Sequence, residues 1–409
     1  MKRPALAVSV ALLTTIFWRC PVGLAPPLLV HGTGHTGQVV GAFTPTPAME
    51  AASLGGVAAI SARDVWAVGA SAHSPGTGGS PRGPSGQVLI EHWDGTRWRV
   101  VPTPGIPVRP IPALPGLTTS GSLAGVAALS SHDVWAVGTT GNALVGVSGD
   151  TLVVHWDGRR WRVVPSPRVR GQLTGVAAVA ARDVWAAGSR EPNPGESGTQ
   201  PLMEHWDGTR WQLVPLPRIP GQLMSVAAAS ARDVWTVGGT FGPAAAGATP
   251  LTEHWDGTCW HRVPPAGLAG FGFLYAVAAV SAQDVWATGG AEAGGPLVEH
   301  WDGTRWRKVP TPARAGRDAQ LGGIGALSAH DVWAVGSVGQ MPKQRMLVEH
   351  WDGVRWRVVP TPNATGSFLT GVAAVSAQDV WTVGHVGQTP NYRRLVEHWD
   401  GVRWRAVPS

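Results

Sequence analysis

The chain has 409 residues, of which 44% are hydrophobic and only 14% are charged, and it carries 55 glycines, 35 prolines and 22 tryptophans. So many apolar side chains exclude an intrinsically disordered chain, and few lysines and glutamates beside abundant glycine and valine favour strands and turns over helices. The net charge of +6 is small and the arginines are spread evenly among acids, which excludes a nucleic-acid-binding stripe.

The N-terminus has the pattern of a secretory signal peptide. Lys2 and Arg3 form a basic start, and residues 5–18 form an apolar run that is too short to cross a bilayer comfortably. We predict that residues 1–42 are a signal peptide and N-terminal extension, and that the mature chain is secreted or on the cell surface without a membrane span. Cleavage is compatible with "GLA" at 23–25 or "VGA" at 40–42, and a partly buried N-terminal segment is the alternative.

Cysteine usage gives no disulfide framework. Only Cys20 and Cys259 occur, and Cys20 leaves with the predicted signal peptide. Cys259 stands where the other repeats described below carry arginine. A neutral thiol and a bridge between two chains are both compatible with it.

Two short motifs alternate along the rest of the chain, seven times each. Asp-Val-Trp begins at residues 64, 133, 183, 233, 284, 331 and 379, and His-Trp-Asp-Gly begins at residues 92, 155, 205, 254, 300, 350 and 398. A period of about 50 residues is typical of propellers, solenoids and arrays. We predict one domain at 43–409 with seven units, at about 51–104, 123–167, 173–217, 223–265, 274–312, 321–362 and 369–409.

Each unit contains four short segments with strand character. In the third unit they are residues 173–180, 184–188, 202–206 and 210–215, all bounded by turn residues. Four antiparallel strands in each of seven units predict an all-β fold, the seven-bladed β-propeller. The first segment, of Gly, Ala and Val, suits the crowded axis. The fourth, with arginine and a Val-Pro ending, suits the outer edge, where both discourage strand addition.

The Asp-Gly of the second motif predicts a hairpin, because the turn needs a positive φ. With an even number of loop residues, Trp93 and Trp98 share one face of the blade, where we expect them to pack against the next blade together with Trp66. A three-residue loop would separate them. We assign structural roles to the repeated residues of each unit, which in the first are Trp66, Trp93, Trp98, Asp64, His92, Asp94 and Gly95.

The combination of "DVWAVG" with "LVEHWDGTRW" resembles the kelch repeat, in which a hydrophobic strand ends in glycines and an aromatic-Asp turn, a tryptophan and a proline-ended strand follow. The resemblance covers about residues 54–409 and implies a kelch-like propeller of bacterial secreted type. It departs from kelch in a shorter turn and in the double glycine that ends the second strand, which is retained only in the fourth unit at 238–239 and in the fifth at 289–290. The hairpin is also similar to that of bacterial propeller lectins. Propellers serve as enzymes, lectins and scaffolds, so the fold does not name the function.

The repeated His and Asp invite a catalytic interpretation, which the repetition argues against. Seven equivalent positions related by rotation lie far apart and cannot converge on one substrate or metal. We expect Asp94 to shape its turn, and His92 to pair across or between strands. Within the predicted domain at 43–409 no His-x-x-x-His, Cys-x-x-Cys or Gly-x-Ser-x-Gly pattern occurs, so we predict no enzyme, no metal site and no cofactor.

The connections differ between the two faces of the predicted propeller. The first-to-second and third-to-fourth turns repeat closely, and we call their side the uniform face. The second-to-third loops and the links between blades differ in length and composition, as 70–87, 240–250, 291–296 and 103–122 illustrate, and we call their side the variable face. Drift in unconstrained loops is the alternative explanation, but binding residues favour variable loops on a rigid scaffold. The candidate contacts are His73, Arg190, Phe241, Arg345, His385, Tyr392 and Arg393.

We therefore expect an exported, monomeric, non-enzymatic binding or scaffold module whose partner is a protein or a glycan. The alternative is a lectin that holds sugars between blades against the repeated tryptophans. A lectin requires one solvent-accessible tryptophan with polar partners in each blade, whereas a scaffold buries all three. The ring should close by blade packing alone, because the seventh unit ends with its own outermost strand. A strand added by residues 38–47 is the alternative.

Overall fold

The structure is a computed structural model that describes residues 51–409, except 74–84, 107–119, 142–148, 195, 197, 218, 242–246, 267–271, 292–294, 313–317, 363 and 388–391. The side chains of residues 72, 73, 85 and 86 are also outside the description. The predicted signal peptide, the possible strand at 38–47 and much of the longest loops therefore lie outside the described residues.

The described chain forms 28 strands in seven consecutive groups of four. The first strands of the blades are β1 Ala51–Ser61, β5 Ser122–Ser130, β9 Gly171–Ala180, β13 Gly221–Ser230, β17 Gly272–Ser281, β21 Ala319–Ser328 and β25 Ser367–Ser376. The second strands are β2 Asp64–His73, β6 Asp133–Thr139, β10 Asp183–Arg190, β14 Asp233–Phe241, β18 Asp284–Ala291, β22 Asp331–Val338 and β26 Asp379–Val386.

The outer half of each blade is a hairpin with a long and a short strand. The third strands are β3 Ser85–Trp93, β7 Thr151–Trp156, β11 Gln200–Trp206, β15 Ala248–Trp255, β19 Pro296–Trp301, β23 Arg345–Trp351 and β27 Arg393–Trp399. The fourth strands are β4 Trp98–Val100, β8 Trp161–Val163, β12 Trp211–Leu213, β16 Trp260–Arg262, β20 Trp306–Lys308, β24 Trp356–Val358 and β28 Trp404–Ala406.

Each group forms its own four-stranded antiparallel sheet in chain order, which confirms the predicted seven-bladed β-propeller. The first strands contact the first strands of both neighbouring blades, and β1 contacts β25, so the first strands are innermost and the ring is closed. Among the described strands, none is exchanged across the closure. No described helix combines the length and apolar character needed to cross a bilayer.

A repeated glycine allows the two inner strands to approach closely. Gly69 on β2 pairs with Leu54 on β1, next to a register shift between Leu54 and Gly56. A Cβ at Gly69 would lie 2.0 Å from the carbonyl oxygen of Ser53, so no other residue fits without moving the backbone. The same close approach recurs in the other six blades, at Gly138, Gly188, Gly238, Gly289, Gly336 and Gly384.

Trp93 and Trp98 lie on the same face of blade one, directly opposite each other in register. The expectation that Trp66 joins them there is wrong: Trp66 pairs with His92, one residue out of phase with Trp93, and so lies on the opposite face. The tryptophans meet between blades instead. Trp66 packs against Trp156 and Trp161 of the following blade at centroid distances of 5.1 and 5.4 Å.

The same three-tryptophan cluster occurs at every blade interface, including the closure. There, Trp381 of blade seven lies 5.1 Å from Trp93 and 5.6 Å from Trp98. The near-perpendicular contact between Trp381 and Trp98 is a favoured aromatic geometry, worth about 0.5–1.5 kcal/mol beyond area burial. Each interface is therefore an aromatic core with one ring from the leading blade and two from the next.

Candidate functional site

On the uniform face, each blade carries a histidine paired with an aspartate. In blade one, His92 Nε2 lies 2.8 Å from Asp64 Oδ1, and the ring of His92 lies 4.3 Å from that of Trp66. The pair recurs at 2.7–2.8 Å in all seven blades. It joins the start of the second strand to the end of the third, and the imidazole covers the buried indole. This geometry suits a structural pair with an internal acceptor.

The Asp-Gly turn beside each pair is held by its own aspartate. Asp94 Oδ1 accepts hydrogen bonds from the backbone N–H groups of Thr96 and Arg97, at 2.9 and 3.0 Å. The hydroxyl of Thr96 also donates to Asp94 Oδ1, at 2.5 Å, and Asp94 Oδ2 lies 2.7 Å from an Arg99 nitrogen. The hydroxyl hydrogen bond, the backbone hydrogen bonds and the charge of Arg99 lower the pKa of Asp94. Gly95 follows with φ of 92°, the left-handed region that the turn requires.

The middle tryptophan of each unit is partly exposed at the uniform face, whereas the other two are buried. Its indole N–H is already used: Trp93 Nε1 donates to the carbonyl oxygen of Ala62 at 3.1 Å. Equivalent bonds hold five further middle tryptophans, which are Trp156, Trp206, Trp301, Trp351 and Trp399. These six middle tryptophans are therefore not fully buried, as a scaffold was expected to require, and their indole N–H groups are not free for a ligand.

A ring of buried glutamates precedes the histidines, and sequence reasoning missed it. These residues, two positions before the middle tryptophan, are Glu91, Glu204, Glu253, Glu299, Glu349 and Glu397, each at most 2% exposed. Blade two carries Val154 instead. Burial raises the pKa of Glu349 to about 7, and no hydrogen-bond partner for its carboxylate oxygens lies among the described residues. The signal that could have revealed it is a glutamate that recurs at the same position of the third strand, on the same face as a position that is apolar in every unit.

The variable face carries the candidate contacts predicted from sequence, but they do not form one site. His73 ends β2, and its side chain is outside the described residues. Arg190 forms a bidentate pair with Glu196, with nitrogen–oxygen distances of 2.7 and 3.0 Å, so it shapes its own loop. Arg345 is exposed at the start of β23.

Arg393 is exposed at the start of β27, beside the closure. With Arg394 it lines a cavity of about 470 Å³ that also includes Ala52 and Ser409. Arg394 is committed to the protein, because its guanidinium lies 3.3 Å from Glu91 Oε1 and donates to the carbonyl oxygen of Ser409 at 2.7 Å.

Non-repeated aromatic residues form two clusters on the variable face. Phe241, Phe273 and Tyr275 are partly exposed. The ring centroid of Phe273 lies 6.3 Å from that of Phe241 and 5.6 Å from that of Tyr275. In blade seven, His385 stacks on buried Phe368 at 5.7 Å and meets Tyr392 edge-on at 4.7 Å. Burial lowers the pKa of His385 to about 4, so the ring is neutral at ordinary pH. All described phenylalanines and tyrosines belong to these two clusters.

The hairpin of blade four brings together three side chains of metal-binding type, another feature that sequence reasoning missed. Asp256, Cys259 and His261 are exposed, and one ligand atom from each lies within 4.8 Å of the others. The signal that could have revealed it is that blade four lacks both arginines of the repeat, at positions 259 and 261. Only the change at position 259 was recognised from the sequence.

No protein-family model matches the chain, and no curated protein matches it. Solved propeller structures do resemble it. An ulvan lyase, a polysaccharide lyase, superposes with a TM-score of 0.55 at 9% identity, over 85% of this chain and 94% of the lyase. An acylaminoacyl peptidase of Pyrococcus horikoshii gives 0.53 at 10% identity, over 88% of this chain and 52% of the peptidase.

Lectins are among the similar structures as well. The six-bladed lectin of Aleuria aurantia, described as recognising fucose, gives a TM-score of 0.43 at 12% identity, over 69% of this chain and 95% of the lectin. At these identities the lyase and the peptidase, whose TM-scores exceed 0.5, show the propeller fold and nothing about the ligand or the reaction.

Proposed function

We propose that the chain is a non-enzymatic, monomeric binding or scaffold module that contacts its partner through the variable face. The observation that carries the proposal is the partly exposed aromatic cluster of Phe241, Phe273 and Tyr275. Aromatic side chains that break the repeat and remain partly exposed are typical anchors of an interface, because they provide large contact area at low entropic cost.

The uniform face supports this choice by contrast. Its histidines pair with aspartates, its turn aspartates accept backbone and side-chain hydrogen bonds, and its partly exposed indoles donate to carbonyl groups. Groups that already satisfy one another gain little from a ligand, which must replace those bonds before it gains affinity.

The lectin alternative rests on a specific observation. At each interface a partly exposed tryptophan packs against the indole that the histidine of the neighbouring blade covers: the ring of Trp156 lies 5.1 Å from that of Trp66, which lies 4.3 Å from that of His92. An exposed ring beside polar groups is the composition of a sugar site. The occupied indole N–H makes it the second candidate.

Site-specific photo-crosslinking tests the choice of face. A photoreactive residue at Phe241 or Tyr392 reports on the variable face. The matched controls are Val354 and Val402, each 81% exposed in an Asp-Gly turn of the uniform face. We expect one partner to be captured from the variable positions and not from the controls. Capture from Val354 or Val402 alone would overturn the assignment.

A glycan array tests the lectin alternative. Under our proposal, any glycan that binds is held by the variable loops, and its binding is lost when they are replaced. Glycan binding that survives replacement of the variable loops but weakens in Trp351→Ala would establish the lectin, because Trp351 is the exposed ring of its interface.

We also propose that the chain is exported, from the basic start and apolar run at residues 2–18. Fractionation of expressing cells and N-terminal sequencing of the extracellular form test this. An intact chain that starts at Met1 and stays in the cytoplasm would contradict export.

A further inference from the structure

The outer hairpin of blade four departs from the repeat at two positions of the same turn. The first position is arginine in the six other blades, at Arg97, Arg160, Arg210, Arg305, Arg355 and Arg403, and is Cys259 here. The second is Arg99, Arg162, Gln212, Arg307, Arg357 and Arg405 in the others, and is His261 here. Both changes replace the usual residue with a side chain that coordinates transition metals.

The turn aspartate directs one oxygen towards the second of these positions. Asp256 Oδ1 accepts from the backbone N–H groups of Thr258 and Cys259 at 2.8 and 3.0 Å, as in the other turns. The other oxygen binds arginine in five blades, for example Arg357 at 2.7 Å from Asp352 Oδ2. In blade four, Asp256 Oδ2 lies 2.7 Å from His261 Nε2.

The thiol completes the cluster. Cys259 Sγ lies 3.3 Å from His261 Nε2, so sulfur, nitrogen and oxygen donors surround one point on the surface. Tetrahedral zinc sites have metal–ligand distances of about 2.0–2.3 Å, which place neighbouring ligand atoms roughly 3.3–3.7 Å apart. The separation of 3.3 Å between Cys259 Sγ and His261 Nε2 matches that spacing, whereas the 2.7 Å contact between Asp256 Oδ2 and His261 Nε2 is a hydrogen bond that opens when both atoms bind one ion.

The hairpin holds its ligands on a rigid support. Trp255 and Trp260 flank the turn with ring centroids 6.0 Å apart, and Gly257 at φ of 95° fixes its shape. His254 is committed to Asp233 at 2.7 Å and adds no ligand. The three ligand residues are exposed, which leaves a fourth coordination position open to water.

Charge separates this hairpin from its counterparts. In blade five, Arg305 and Arg307 bring two positive charges to the same turn and would repel a cation. Blade four has neither arginine: Asp256 Oδ1 accepts hydrogen bonds from the Thr258 hydroxyl and the backbone, and Oδ2 contacts His261, which can be uncharged, in place of an arginine.

We propose that Asp256, Cys259 and His261 bind a divalent transition-metal ion, Zn²⁺ or a similar borderline ion, with water in the fourth position. The metal takes the thiolate of Cys259, whose proton is released to solvent, and the unprotonated Nε2 of His261, whose Nδ1 keeps its proton. Mixed sulfur, nitrogen and oxygen donors favour such ions over Ca²⁺ and Mg²⁺, which prefer oxygen ligands alone. The site is independent of the proposed partner face, since it lies on the uniform face.

Cobalt titration of the untagged full chain, in a non-thiol reductant, tests the site. Co²⁺ bound to a thiolate gives a charge-transfer band in the near ultraviolet, and Zn²⁺ should abolish it by displacement. We expect one equivalent in the wild type. The double variant Cys259→Arg/His261→Arg, which restores the pattern of blade five, should bind none. His261→Gln should weaken binding by at least about tenfold, because it removes a direct ligand.

A transplant provides the matched positive control. Arg305→Cys/Arg307→His builds the same triad on the turn of blade five beside Asp302, and it should raise the stoichiometry to two. The absence of a thiolate band in the wild type, an unchanged equivalent in the double arginine variant, or one metal per two chains would each overturn the site. Unchanged circular dichroism in every variant confirms that the blades remain folded.

Discussion

At the scale of single residues, the buried glutamates make stability depend on pH. The ordinary pKa of Glu349 is 4.5, and burial raises it to about 7 in the folded chain. Below pH 4.5 the carboxyl group is protonated in both states and has no effect. Between these values the unfolded chain ionises and the folded chain does not, so stability falls as pH rises. Above pH 7 the loss is constant, at roughly 3 kcal/mol for a shift of this size.

Glu349→Gln removes this dependence at one site, because the amide does not ionise. We expect the variant and the wild type to have similar free energies of unfolding at pH 4, and the variant to be more stable at pH 8 by up to about 3 kcal/mol. Urea denaturation at the two pH values measures the difference. Glu191→Gln is the control, since that side chain is 43% exposed and paired with Arg170. An equal gain at both pH values would contradict the argument.

The roles of individual polar residues were predictable where repetition reveals them. Seven copies of His92 and Asp94 cannot share one site, and this alone indicated structural roles. Glu91 was not recognised, because alternation identifies which side of a strand a residue faces but not that a carboxyl group is buried there. The Asp256–Cys259–His261 cluster escaped notice because a motif search looks for known spacings, whereas the signal was a joint departure from the repeat.

At the scale of elements, the outer hairpin depends on a glycine that no other residue replaces cheaply. Gly303 has φ of 88°, and an added Cβ would lie 2.7 Å from Gln283 Cγ in the neighbouring turn. We expect Gly303→Ala to lower the free energy of unfolding by about 1–2 kcal/mol, since an L-residue is strained in this region. Denaturant unfolding measures it.

Gly105→Ala is the matched control for that substitution. A Cβ at Gly105 meets no atom within 4 Å, so the change should stay within about 0.5 kcal/mol of the wild type. Equal losses at the two positions would contradict the argument that the positive φ and the contact with Gln283 set the cost.

The hairpin also shows how far sequence reasoning extends for elements. Asp-Gly between apolar runs predicted the turn, and the spacing of Trp93 and Trp98 predicted their common face, because strand alternation is local. The face of Trp66 was predicted wrongly, because it depends on the register between β2 and β3. That register is set across a long loop that the sequence does not constrain.

At the scale of the whole molecule, seven similar blades form a ring that closes through packing. Closure rests on the tryptophan cluster of Trp381 with Trp93 and Trp98, the pair of Arg394 with Glu91, and the hydrogen bond of Thr370 to Leu54. Seven copies of two motifs predicted the blade number, since each motif occupies its own strand pair. The partner was not predictable, because the residues that distinguish the variable face occur once each and carry no pattern.

A matched pair of threonines isolates the contribution of closure. Thr370 Oγ1 donates to the carbonyl oxygen of Leu54 across the closure at 2.9 Å, and Thr174 Oγ1 donates to that of Leu223 in the next blade at the same distance. Blades three and four stay adjacent through a short link even when this contact is lost. Blades one and seven are connected covalently only through the five blades between them. When their contacts break, the two blades can therefore move further apart, and the gain in chain entropy is larger.

We therefore expect Thr370→Val to open the ring locally. Native-state hydrogen exchange should become several-fold faster at the amides of β1 and β25, whereas Thr174→Val should leave β9 and β13 close to wild-type protection. Removal of one hydroxyl costs each variant a similar global stability, about 1 kcal/mol, so urea unfolding provides the internal reference. Equal acceleration at the two interfaces would mean that the closure behaves like any other pair of neighbouring blades, and that opening requires the whole ring to unfold.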